Sequence, residues 1–264
     1  MTADFRFITY ERQAHVVQVT IRRPEVMNAL NMDAHCELDQ AWSRFEADEE
    51  AWVAILTGEG DKAFCAGADL KEARQHAAPQ QYWMTLKPGG FGGLTERFTL
   101  VKPVIAAVNG YALGGGFEIA LACDIIVAAE HARFALPEPR VGVMASDGGV
   151  HRIVRQLPLK IGMGLLLSGR QLSAAEAHAW GLVNAVVPAA ELLEQAQSWA
   201  DDIVACAPLA VRASKQAAMA GLDLPLADAI NRRYDGILRW ASAQDTLEGP
   251  RAFVEKRKPR WKGR

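Results

Sequence analysis

Two short stretches and two carboxylates carry the residue types that acyl chemistry needs. The first stretch is Ala63-Phe64-Cys65-Ala66-Gly67-Ala68-Asp69-Leu70; the second runs from Val108 to Gly114-Gly115-Gly116-Phe117-Glu118. Each reads as a strand, a sharp glycine turn and the start of a helix. Glycine tolerates positive φ and lets a ligand come close to the main chain. The first amides of a helix lack intrahelical partners and carry partial positive charge. One such amide from each turn could converge on a carbonyl oxygen as it becomes negative, forming an oxyanion hole. Tight helix–sheet packing would ask for the same glycines, so spacing alone leaves both readings open. Neither turn fits G-x-x-x-x-G-K-[ST] or G-x-G-x-x-G, and a nucleotide cradle is poorly supported.

The carboxylates tip the balance. Glu118 stands in the first helical turn, where a helix dipole alone would favour it by under about 1 kcal/mol. Glu138 lies between Pro137 and Pro139, in a rigid stretch that neither a helix nor a central strand continues easily. Two glutamates beside a carbonyl can divide acid and base roles if burial and mutual repulsion separate their pKa values. Asp147, in Ala145-Ser146-Asp147-Gly148-Gly149, has two open readings. It can cap the helix that follows, the reading its residue type favours, or hydrogen-bond a polar acyl group or water. His151 is read as structural rather than as a base.

The elements that must position these groups follow from pattern. Residues 15–21, 51–57, 103–108 and 125–128 read as buried strands rich in β-branched side chains. Residues 32–45 place Leu38, Trp42 and Phe45 on one helical face, and further helices are expected from Leu70 and after Gly116. Residues 79–94, with two prolines and four glycines, read as a mobile loop over the acyl pocket. The alternation argues for an α/β domain with mostly parallel pairing. Beyond about residue 190 the pattern is helical only: 192–205, 208–220 and 226–243.

Bulk properties exclude several classes. The chain has 264 residues, 50% hydrophobic and 23% charged, with a formal net charge of -2. That is a globular composition without the basic footprint of a nucleic-acid binder, and Glu46, Asp48, Glu49 and Glu50 would repel phosphate. A basic C-terminus (Arg257, Lys258, Arg260, Lys262, Arg264) is either solvated or meets a phosphorylated ligand. The four cysteines and six histidines are scattered, so no metal site and no disulfide framework is expected. With neither a leader-type N-terminus nor an apolar run near 18 residues, a cytoplasmic protein without membrane contact is expected.

The ordered motifs Phe64 to Leu70, Lys102 to Gly110, Gly114 to Glu118 and Phe134-Ala135-Leu136-Pro137-Glu138 resemble those of the enoyl-CoA hydratase/isomerase (crotonase) family. The likeness extends through Leu167-Ser168-Gly169-Arg170, Ala179-Trp180-Gly181-Leu182-Val183 and Phe253 to Arg257. The segments 134–138 and 248–264 also look like the carnitinyl-CoA dehydratase branch. The resemblance implies a crotonase-type (ClpP-like) spiral of β-β-α units over residues 1–195. Residues 196–264 would then form a helical region that builds trimers or hexamers and completes the CoA site. It implies backbone amides of Ala66 and Gly115 as oxyanion donors and Glu118 and Glu138 as the catalytic pair. By the same carry-over, Ala66, Gly67, Ala68, Asp69 and Leu70 lie along the thioester, and Phe253 and Lys256 hold the coenzyme. Coenzyme A would be part of the substrate, and no separate cofactor is implied. Many relatives have Pro-Gly-Ala-Gly-Gly where this chain has Ala145 to Gly149, a departure that speaks against a plain straight-chain substrate.

Overall fold

The computed structural model describes residues 5–75, 82, 85 and 87–264. Strands β1 (Ile8–Gln13) and β2 (Val16–Ile21) pair as an antiparallel hairpin. Strands β3 (Val53–Gly58), β5 (Val104–Val108), β7 (Ile125–Ala129) and β10 (Ala185–Val187) extend it in parallel, giving the order β1-β2-β3-β5-β7-β10. A smaller sheet holds β4 (Ala63–Cys65), β6 (Tyr111–Leu113), β8 (Arg133–Ala135) and β9 (Leu172–Ser173), parallel except for its last pair. Consecutive strands thus alternate between sheets: β3 then β4, β5 then β6, β7 then β8. Sequence pattern missed β1 because its residues after Ile8 are partly or fully exposed, as an edge strand's are.

Central strands of the large sheet are buried on both faces, which is why they read as continuous apolar runs. On one face Ala54, Leu56, Ala106, Val108, Ile126 and Ala128 belong to one core cluster with Leu38, Trp42 and Phe45 of helix α1 (Met32–Ala47). Ile55, Ile105 and Val127 point the other way. They pack under Leu192, Ala196 and Ala200, spaced by four on a later helix (Leu192–Val204), the helical period that makes one stripe. Asn31 caps α1 by accepting the Ala34 amide at 3.0 Å, so the helix starts where the sequence says.

Short helices follow the strand pairs: α2 (Leu70–Gln75), α3 (Gly115–Ala122), α4 (Gly149–Gln156), α5 (Leu159–Ser168) and α6 (Ala174–Ala179). The helical end of the chain comprises α7 (Leu192–Val204), α8 (Pro208–Gly221), α9 (Leu226–Asn231), α10 (Asp235–Ala241) and α11 (Asp245–Val254). The helix expected over 226–243 is broken. Arg232 and Tyr234 are extended, and the buried Tyr234 hydroxyl donates to Ala229 O at 3.2 Å. Anchoring that ring is incompatible with one continuous helix.

The glycine-rich stretch is also unlike its expectation. Its residues 79–81, 83, 84 and 86 lie outside the described residues. From Lys87 onward it is pinned: Phe91 N–H donates to Thr95 Oγ1 (2.8 Å), Gly92 N–H to His35 Nδ1 (2.9 Å), and Trp42 Nε1 donates to Gly92 O (2.9 Å). Its glycines serve close approach; a Cβ on Gly93 would stand 2.6 Å from the Asp39 Cα. Among the described residues no helix is long and apolar enough to cross a membrane.

Candidate active site

The two glycine turns meet. Gly67 has φ +91°, and a Cβ there would stand 2.9 Å from Leu113 O and 3.2 Å from Gly115 N. Glycine is therefore required both by conformation and by the neighbouring turn. Around it the main-chain amides are held on either side of one exception. Ala66 N–H donates to Met27 O (3.0 Å), Leu30 N–H to Gly67 O (2.8 Å), and Asp69 N–H to Leu30 O (2.9 Å). Ala68 N–H makes no hydrogen bond to the described residues. The Ala66 amide, expected as a donor to the thioester, is held by Met27, and the unpartnered amide of this turn belongs to Ala68.

In the second turn each glycine has its own reason. Gly114 adopts φ 55°, ψ -128°, a region open to glycine, and a Cβ there would lie 2.9 Å from Glu138 Oε1. A Cβ on Gly115 would enter the Phe91 ring, and one on Gly116 would strike the Cys65 carbonyl. Packing, one of the two readings left open by spacing, is thus met at each of these glycines. Gly115 is the first residue of α3, so its N–H has no intrahelical partner.

Glu118 lies one turn into α3 and is 2% exposed. Its Oε1 accepts the Gly149 amide at 2.7 Å. Burial, then the charge of Asp147, push its carboxyl up to about 8, against the pull of that amide. Glu138 opens a 3-10 turn (Glu138–Val141) directly after Pro137. Its Oε2 is buried without a partner among the described residues, and burial raises the carboxyl to about 7, with Asp147 adding to the rise.

Asp147 does not cap α4. The N-cap is Gly148, at φ +103° and with no side-chain cap bond, and the Gly149 amide is taken instead by Glu118. The favoured reading from residue type gives way because the carboxylate of another element reaches the helix start. Asp147 is partly buried, its own carboxyl is raised by desolvation, and Lys87 opposes and Glu96 adds to that rise. Three carboxyls therefore share one region.

Other expected residues divide. Asp69 is occupied: Oδ2 pairs with Arg23 at 3.0 Å and Oδ1 accepts the Lys71 amide at 3.1 Å. Its carboxyl is held below its ordinary value, with burial opposing the Arg23 hydrogen bond. Ala68 adjoins the turn, and Leu70 is exposed at the start of α2. Phe253 and Lys256 are not brought to the glutamates. Phe253 is 86% exposed at the end of α11, and Lys256 follows it at φ 52°. Arg257 of the basic tail is spent within the chain, bidentate to Glu248 at 2.6 and 2.9 Å. His151 is exposed on α4.

Pattern reading missed Phe91, whose ring covers Gly115, and His35 behind it. The two rings meet edge-on at 4.4 Å. His35 is kept neutral, its pKa lowered to about 3 by burial and then by Lys87, so Nδ1 accepts the Gly92 amide. Arg152 of α4 donates to Thr95 O at 2.6 Å. No sequence signal ties these residues to the glycine turns, since contact alone joins them. Among the described residues no group of three or more His, Cys, Asp or Glu could hold a metal ion.

The family model described as Enoyl-CoA hydratase/isomerase matches residues 11–264. The chain belongs to this family. It is 46% identical over 257 residues to the carnitinyl-CoA dehydratase of Salmonella typhi, covering 96% of this chain and 97% of that one. Among solved structures, the enoyl-CoA hydratase from Mycobacterium tuberculosis H37Rv is similar with a TM-score of 0.90 at 37% identity, covering 98% of this chain and 99% of that one. The enoyl-CoA hydratase from Bacillus anthracis is similar with a TM-score of 0.90 at 35% identity, covering 98% and 100%. The alternation of strands between two sheets is accordingly the crotonase fold, as the motifs implied.

Proposed function

We propose that this family member is a 2-enoyl-CoA hydratase that adds water reversibly, and syn, across the α,β double bond. The observation that carries the reading is the placement of two raised carboxyls, Glu118 and Glu138, beside a pair of glycine turns with amides to spare. Ala68 N–H and Gly115 N–H would receive the thioester oxygen and stabilise the enolate-like transition state; losing one such donor lowers rates about 100–1000-fold. Glu118 would orient the water and take its proton while Glu138 delivers a proton to Cα.

Burial raises Glu118, at about 8, further than Glu138, at about 7. Hydrogen bonding runs the other way. The Gly149 amide favours an ionised Glu118, whereas the buried Oε2 of Glu138, unpartnered among the described residues, favours its neutral form. We place the shared proton on Glu138 for that reason, as a state of the coupled pair. Coenzyme A serves as the substrate's handle, and neither metal nor redox cofactor enters the scheme. The test is hydration of crotonyl-CoA by wild type, Glu118→Gln and Glu138→Gln. Wild-type rates in both variants would overturn the mechanism, and a product of unchanged mass would indicate isomerisation.

Asp147 favours a second reading, dehydration of a carnitinyl-CoA type of substrate. Its carboxyl acts on both glutamates and could face a quaternary ammonium on the acyl chain, with Lys87 offsetting part of its charge. A panel of crotonyl-, longer enoyl-, aromatic and crotonobetainyl-CoA separates the two. A preference for the cationic acyl group that Asp147→Asn abolishes supports the second reading.

The exposed Met219 of α8, Leu222 just after it, and Leu226 and Ile230 of α9, between 63% and 76% accessible, support assembly of several copies. In a trimer or hexamer, Phe253 and Lys256 would reach a neighbouring subunit's coenzyme site.

A further inference from the structure

The segment Arg23 to Leu30 contributes no group to the chemistry proposed above, yet it carries the least ordinary backbone near it. Met27 and Asn28 are both left-handed, at φ 55° and 56°. Asparagine tolerates that region, whereas a long apolar side chain is strained in it, and such strain persists only where the surroundings over-determine it. Here they do. Asn28 is wholly buried. Its Oδ1 accepts Arg23 N–H at 2.9 Å, and its Nδ2 donates to Ala63 O at 2.7 Å and to Glu59 O at 3.0 Å. Arg23, also buried, sends one guanidinium nitrogen to Ala29 O and another to Asp69 Oδ2.

These bonds grip the first glycine turn from both sides. Ala63 O and Ala66 N–H are held before Gly67; Gly67 O, Asp69 N–H and the Asp69 carboxylate are held at and after it. Between these points the Gly67 amide turns to the Cys65 thiol at 3.4 Å, and among the described residues Ala68 N–H is the one amide from Ala66 to Asp69 left without a partner. A register shifted by two residues would leave Ala66 N–H free instead and bury Ala68's.

We propose that Asn28, backed by Arg23, is a positioning residue that fixes the register of the Ala66–Asp69 turn and so presents the Ala68 amide to the thioester oxygen. This rests on the hydratase reading above and deepens it. Asn28 touches no substrate; it acts through Ala63 and the left-handed Met27, whose carbonyl fixes Ala66.

Two variants test it. Asn28→Gly keeps the left-handed conformation at no steric penalty but deletes the three side-chain bonds. Arg23→Lys, milder, keeps the charge and loses the fork that spans Ala29 and Asp69. Each is assayed on crotonyl-CoA, and each is mixed with 4-dimethylaminocinnamoyl-CoA, whose absorption band moves to the red as hydrogen bonds polarise its thioester carbonyl. Asn28→Gly is expected to lower kcat roughly 10- to 100-fold, less than outright loss of a donor, with KM changed by under about 3-fold. The red shift of the bound probe should shrink in parallel, and Arg23→Lys should show a smaller change in the same direction.

A folded variant that keeps full kcat and the full band shift overturns the proposal, as does a rise in KM alone. If Asn28→Gly does not fold, Arg23→Lys decides by the same criteria. A wild-type protein that neither hydrates crotonyl-CoA nor shifts the probe overturns the hydratase reading itself, an outcome distinct from wild-type activity that the variants retain.

Discussion

The two glycine turns have the same outward form, strand then glycine then helix, but opposite internal economies. Around Gly67, the Ala66 and Asp69 amides and the Gly67 carbonyl are held by residues 27–30, the Gly67 amide by the Cys65 thiol, and the Asp69 side chain by Arg23. Of its amides from Ala66 to Asp69, that turn leaves Ala68's alone unpartnered among the described residues. The Gly114–Gly116 turn opens a helix, and with it come Glu118 one turn on and Glu138 against Gly114. It carries charge as well as a donor. One turn is held rigid from outside by a strained segment; the other is shaped by its own glycines under the Phe91 ring. The lesson is that a shared motif fixes backbone shape, while hydrogen-bond accounting decides which atom stays available.

Removing the carboxylate from the richer turn should have the largest effect. Glu118→Gln keeps the acceptor for the Gly149 amide but deletes the base, and steady-state kinetics should show kcat lowered by about 100- to 10,000-fold with thioester binding retained. Next in size is a direct comparison of amides in the poorer turn. Replacing residue 68 by lactic acid, which swaps the N–H for an ester oxygen, should lower kcat about 100-fold or more. The same replacement at residue 66 breaks the bond to Met27 O and should be read mainly as a lower unfolding midpoint. If the position-66 ester costs more rate than the position-68 ester, the assignment of the free amide is wrong.

A smaller effect is expected from Gly114→Ala. It forces a side chain into a left-handed position and against Glu138 Oε1, so kcat should fall roughly 10-fold, with the limb of the pH profile that reports Glu138 displaced. In wild type that profile of kcat/KM should be a narrow bell. The singly protonated pair is most populated between about 7 and about 8, and activity should fall on either side as both carboxyls hold protons or both lose them.

The smallest effect is on stability, and its sign is opposite to the usual carboxylate. The folded-state carboxyls of Glu118 and Glu138 both lie above their ordinary 4.5, so the folded pair keeps protons that the unfolded chain releases. The pair's contribution is fully present below about pH 4.5, declines as pH rises, and is lost above about 8, where both carboxyls are ionised. Glu118→Gln should therefore stabilise the protein at pH 9, by a few kcal/mol at most given about 1.4 kcal/mol per unit. It should bring little change through this group at pH 4. Urea unfolding at the two pH values checks it.

The sequence alone determined the framework. Short apolar runs rich in β-branched residues and bounded by turn signals read as strands buried on both faces, Leu38, Trp42 and Phe45 can share one face only on a helix, and the triple glycine with Glu118 places a carboxylate one turn into α3. These are local facts, set by period and by backbone sterics. Contact between remote segments decided the rest. Which amide of Ala66–Asp69 remains free depends on Met27 and Leu30, some 40 residues away in sequence. That Asp147 leaves α4 uncapped depends on Glu118 arriving first, and that the glycine stretch from Lys87 onward is pinned depends on His35 and Trp42. Hydrogen-bond partners across such distances have no periodic signature, so only the folded chain assigns them.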